Sequence, residues 1–152
     1  MRVLYDEIMN SSIAENIRKH GWQFQYVFDE NEELPSFAYS IGFEESYSHP
    51  EIMIFGLSKD VMHSLLSNLA TDIKSGIVFQ PNEKVKEVLS GNFEVMFKRM
   101  KTEFQSEYAG TAKDYYQKPF EVLVMLWPDK NNVLPCEQDC QLTVQAEAVK
   151  IV

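Results

Sequence analysis

Residues 37–57 read FAYSIGFEESYSHPEIMIFGL, two apolar runs bracketing one short polar stretch. In the first run Phe37, Tyr39, Ile41 and Phe43 alternate with other residues, the period of a strand. The second, residues 51–57, is nearly continuous in apolar character, as expected of a central strand. Between them lies a loop carrying Tyr47, Ser48, His49, Pro50 and Glu51. Loops held between buried strands are where proteins present chemistry on a rigid support. An imidazole, a hydroxyl and a carboxylate within four residues make this loop the first candidate for a site.

The remaining pattern surrounds that pair of strands with an α+β arrangement. A first helix is expected over residues 13–20, with Ser12 and Glu15 at capping-box spacing and Gly21 as its stop. Trp22, Phe24, Tyr26 and Phe28 alternate as in a half-buried strand, so residues 22–43 read as a hairpin whose turn is DENEELP. Ser58 caps the clearest helix, whose apolar positions are Val61, Met62, Leu65, Leu66, Leu69 and Ile73, with Leu65 and Leu69 expected to be fully buried. Short strands are expected at 77–79 and 93–97. A looser helical segment opens at Thr102 and breaks near Gly110. FEVLVMLW at 120–127 is apolar enough for the sheet interior, and Pro128, Asp129, Asn131 and Asn132 form the turn after it. A last strand over 142–148, weakly alternating, would lie at an edge or a partner contact. The sum is a single α+β domain over 1–152: a mostly antiparallel sheet of about five or six strands, with two to three helices packed on it.

Composition narrows the function classes. A net charge of −9 disfavours generic nucleic-acid binding, which needs Lys and Arg along the phosphates. The two cysteines, Cys136 and Cys140, have no second ligand pair, so neither a metal site nor a cofactor is expected. The start MRVLYDEIMN lacks a leader pattern, and no apolar run reaches membrane-spanning length, so a cytoplasmic protein is expected.

HGW at 20–22, FAYSIGF at 37–43, HPEIMIFGL at 49–57 and LWPD at 126–129 together resemble the bacterial domain-of-unknown-function 4262 family. The resemblance covers about residues 12–136, leaving 137–152 as a C-terminal extension. It implies a small intracellular protein of bacterial or phage type, and brings no established activity, cofactor or catalytic residue. Where the family has Pro-Trp after the WPD turn, this chain has Pro135-Cys136.

His49 precedes a proline, which biases it to an extended conformation and holds the imidazole on stiff backbone. It reads either as a general base oriented by Glu51 or Asp129, or as a latch closing the loop. Ser48 points to the opposite face of an extended segment and forms no dyad with His49. No phosphate loop, nucleophile elbow or zinc-protease pattern occurs. A second signal is an excess of aromatics with polar handles near basic element ends: Arg18, Lys19 and His20, then Lys98, Arg99 and Lys101. Trp22, Tyr39, Tyr47, Ser48, His49, Arg99, Tyr115, Tyr116 and Trp127 are therefore the candidate ligand-binding residues. The expectation is a small-molecule-binding protein, a homo-oligomer and most simply a two-fold dimer. It would bind or sequester a nucleotide-like anion near the His49 loop. The alternatives are a hydrolase or lyase using His49, and a protein–protein interaction module.

Overall fold

The structure, a computed structural model, describes residues 2–4 and 10–152. Its elements in chain order are β1 (Arg2–Leu4), α1 (Asn10–His20), β2 (Gln23–Asp29), β3 (Phe37–Ile41), α2 (Phe43–Tyr47), β4 (Glu51–Phe55) and α3 (Lys59–Lys74). Then come β5 (Lys84–Val85), β6 (Val95–Arg99), a short 3-10 turn at Thr102–Phe104, α4 (Gln105–Tyr108), α5 (Gly110–Tyr116), β7 (Val122–Leu126) and α6 (Ala146–Lys150). The strands form one sheet in the order β1-β2-β3-β4-β7-β6-β5. Among the described strands only the β4–β7 pair is parallel. The architecture is thus a single α+β domain with a mostly antiparallel sheet. The short edge strands β1 and β5 raise the strand number above the five or six expected, and only α1 and α3 exceed two helical turns.

The sheet is buried on both faces at its centre. All residues of β3, β4 and β7 are buried, which explains why β4 and β7 read as nearly continuous apolar runs; the alternation read in β3 does not mark an exposed face. One face carries α3 through Met62, Leu65, Leu66, Leu69 and Ile73, packed on Ala38, Ile52, Ile54, Leu123 and Met125. The other carries α1, α4, α5 and α6 over Val27, Phe37, Tyr39, Met53, Phe55 and Val124. Ser58 caps α3 by accepting a hydrogen bond from the Val61 N–H. Leu69 is buried almost completely and Leu65 nearly so, whereas Val61, assigned to the apolar face, is 46% exposed in the first turn.

Several local expectations are corrected. Residues 77–79 form no strand: Ile77 and Val78 are exposed, and the N–H of buried Phe79 goes to a histidine ring. The α1 helix begins at Asn10, so Ser12 lies inside it rather than at its cap. Residues 43–47 make a helical turn, not the end of a strand. The tail contains α6 instead of a strand over 142–148. Gln145 donates to the carbonyl of Trp127 and accepts its N–H, so a side-chain amide completes the ladder beyond β7 where a strand was expected. Ala148 and Ile151 are buried in the core, and the Lys101 N–H donates to Ile151. The tail therefore packs inward through α6 and contains no edge strand. Among the described residues, no helix is long and apolar enough to cross a membrane.

Candidate functional site

β4 begins at Glu51, which places a carboxylate beneath the first turn of α2 with no solvent exposure. Oε1 accepts from the Ser40 hydroxyl at 2.7 Å and the Phe43 N–H at 3.0 Å. Oε2 accepts from the N–H groups of Gly42 and Glu44, at 3.2 and 3.0 Å, and from the Tyr116 hydroxyl. The carboxylate thus does for α2 what an N-cap side chain does, but from a neighbouring strand. Ser40 Oγ also accepts the Ile52 N–H at 3.0 Å, replacing a carbonyl where the β3–β4 ladder stops. Gly42 sits at φ 123, and a Cβ there would lie 2.7 Å from the Gly21 carbonyl oxygen. Only glycine therefore lets the two turns close on each other while exposing its N–H to Glu51.

Burial pushes the Glu51 carboxyl up to about 7, against the opposing pull of the Glu44 N–H, Tyr116, Ser40 and the Phe43 N–H. Burial, and then the neighbouring Glu51, raises the Tyr116 hydroxyl. Tyr39 is pushed up to about 12, chiefly by its own burial.

His49 is buried and committed at both ring nitrogens. Nε2 receives the Phe79 N–H at 3.1 Å, so it carries the lone pair. Nδ1, 2.8 Å from the Pro50 carbonyl, is then the protonated nitrogen and donates to it. Burial lowers its pKa, keeping the ring neutral. This geometry ties the loop to the segment after α3. The two-residue spacing of His49 and Glu51 does not bring them together, since each has its own set of partners. Asp129 is spent elsewhere, accepting the N–H groups of Asn131, Val133 and Gln141.

The other candidate residues scatter. Tyr39 is fully buried, and Ser48 is exposed in a left-handed conformation at the end of α2. Tyr47 packs on Gly21 and against the Phe43 ring. Tyr115 donates to Glu45 at 2.7 Å. Arg99 lies three strands from β3, 3.5 Å from Glu121. The Trp127 indole N–H donates to the Phe55 carbonyl at 2.8 Å.

Trp22 alone of that set lines an open groove of about 500 Å³ where α1, β2 and α3 meet. β1 pairs only with Val27, Phe28 and Asp29, so among the described strands β2 is the sheet edge here. The walls combine Trp22 and Phe24 with His20 at the end of α1, and Lys59, His63 and Ser67 from α3. The His63 ring stacks on Trp22 at 6.1 Å and meets Phe24 edge-on at 4.9 Å. The Lys59 ammonium lies 5.5 Å from the centre of the Tyr26 ring. The His49 loop is two ring contacts away, through Phe43. His63 was not among the candidate residues, and its ring contact with Trp22 joins two elements far apart in sequence. The spacing of Lys59, His63 and Ser67, one turn apart each, marked a polar stripe that could have been laid beside the hairpin. Among the described residues no group of His, Cys, Asp and Glu is placed to hold a metal.

The chain belongs to the family described as Domain of unknown function (DUF4262), whose model matches residues 16–141. The matched span contains the Glu51 cradle, the His49 latch and every wall of the groove. No curated protein and no solved structure matches the chain.

Proposed function

We propose that this protein is a ligand-binding module and that its site is the groove between α1, β2 and α3. The ligand class that suits the walls is a planar anion, a nucleotide-like molecule among them, held without chemistry. One observation carries the reading: in a chain of net charge −9, the groove brings His20, Lys59 and His63 onto the same walls as Trp22 and Phe24. Aromatic faces supply area to a flat ring, and the basic side chains supply hydrogen-bond donors to its acid group. Compared with the expected site, the proposed one shifts from the His49 loop to its neighbour. The hydrolase or lyase alternative loses support because both nitrogens of His49 and the oxygens of Asp129 are bonded to backbone groups. The dimer stays part of this proposal, using a surface other than the tail, and sedimentation velocity reads it.

Native mass spectrometry of the purified protein tests for a co-purified anion, and calorimetry with adenosine 5′-monophosphate, adenosine and ribose 5-phosphate dissects the chemistry. Measurable binding of the monophosphate, with both fragments much weaker, is the expected result. Equal binding of adenosine and its monophosphate would remove the basic wall from the account, and no binding of any planar anion would end it.

A further inference from the structure

We infer that the groove selects an adenine ring through the side-chain amide of Asn16, and disfavours a ring bearing a carbonyl in place of the amine. This rests on the groove being the site of a planar anion, and adds which ring that anion carries. α1 packs on one face of the sheet and α3 on the other, so the groove runs over the edge of β2. Asn16 and His20, one helical turn apart on α1, form one bank; Lys59, His63 and Ser67 form the other. Trp22, Gln23 and Phe24 lie between the banks.

Three side-chain amides in series fix what Asn16 offers. Gln25, 1% exposed on β2, accepts at Oε1 from Gln23 Nε2 at 3.0 Å. Gln23, itself 7% exposed, offers its Oε1 to α1. An amide oxygen takes a donor, so Asn16 meets it with Nδ2, at 2.8 Å. Turning over any one of the three amides would set oxygen against oxygen or nitrogen against nitrogen in a buried series. The bond to Gln23 uses one Nδ2 proton. Asn16 keeps Oδ1 as an acceptor and one N–H as a donor, neither with a further partner among the described residues.

An acceptor and a donor on one amide are what asparagine presents to adenine, whose exocyclic amine donates and whose neighbouring ring nitrogen accepts. Hypoxanthine keeps that ring nitrogen but carries a carbonyl where the amine was. Its oxygen would face Asn16 Oδ1, and two opposed acceptors both go unpaired. Turning the Asn16 amide over to suit hypoxanthine would set its oxygen against Gln23 Oε1 instead. Trp22 and Phe24, half-buried in the same groove, supply area to the faces of either ring. Discrimination therefore falls to the amide.

The test is calorimetry of the full chain with the 5′-monophosphates of adenosine, inosine and 7-deazaadenosine, the last lacking the ring nitrogen that accepts. On the parent chain the adenosine compound should bind about ten-fold tighter than either of the others. In Asn16→Ala, melted in parallel, the three should bind within about two-fold of one another. The comparison on the parent stands whether or not the variant folds. Equal affinity for the three on the parent would overturn the inference and leave the groove an unselective site for planar anions. A preference that survives in Asn16→Ala would overturn it too, because the discriminating group would lie elsewhere. Binding of none of the three would end the reading of the groove itself, and this inference with it.

Discussion

The Glu51 cradle and the Trp22 groove flank the same turn of the molecule and use their polar groups in opposite ways. In the cradle every acceptor lobe is filled by the protein's own donors, and solvent is excluded. In the groove, aromatic faces, imidazoles and an ammonium meet on open walls contributed by three separate elements. The first arrangement is what a fold does to hold α2 and the His49 loop; the second gathers aromatic and basic groups along an open wall. The polar residues clustered in sequence are here bonded to backbone groups, and the proposed groove is assembled from residues 16 to 67.

If that contrast is right, damage to the cradle should appear as lost stability and damage to the groove as lost affinity. The largest effect is expected for Glu51→Ala, which removes the acceptor of five donors, three of them buried, and should cost about 3–5 kcal/mol in urea unfolding. A loss below about 1 kcal/mol would mean that α2 does not depend on this carboxylate. Within α3 the same division can be drawn along one helix. Leu66→Ala should cost about 3 kcal/mol and Val61→Ala under about 0.5 kcal/mol, since the first is fully buried and the second is not.

His49→Gln should lose about 1–3 kcal/mol at pH 8, the cost of a buried latch. Its pH dependence sharpens the point. Burial lowers the folded pKa of His49 below the ordinary 6.5, so its contribution is complete above that value and is lost as pH falls through the folded one. The stability gap between parent and variant should therefore shrink from pH 8 toward pH 5 in parallel denaturant titrations. A gap that widens on acidification would mean that the imidazole is charged in the fold. The smallest stability effect belongs to the groove: Trp22→Ala should move the melting temperature little while weakening a planar anion at least about ten-fold.

How far the sequence revealed this depended on which force set each element. β3, β4, β7 and α3 were legible because their apolar patterns are strong and burial follows them except at Val61, Ser40 and Glu51. β2 was legible as a strand, but its aromatics are half-exposed while Gln23, Gln25 and Asp29 are buried. Side-chain hydrogen bonds satisfy much of that polar face, and no periodicity records them. The 77–79 segment has strand composition but gives its N–H to His49, and the tail adopts α6 with the Gln145 side chain bonded to the Trp127 backbone. Glu51 and Tyr116 were both singled out, yet 65 residues of separation hid their contact. The groove was hidden for the same reason: its walls come from three elements, and only packing joins them.

The most direct test of the division between scaffold and site is a fluorescence titration of Trp22 in a Trp127→Phe background, with adenosine 5′-monophosphate as the probe. It is run on the parent, His49→Gln and a His63→Ala, Lys59→Gln double variant, each melted in parallel. The account predicts that His49→Gln melts lower and retains the parent's affinity, while the double variant melts near the parent and loses affinity. The reverse pattern, with quenching abolished in His49→Gln at unchanged melting temperature and intact in the double variant, would contradict it and return the site to the His49 loop.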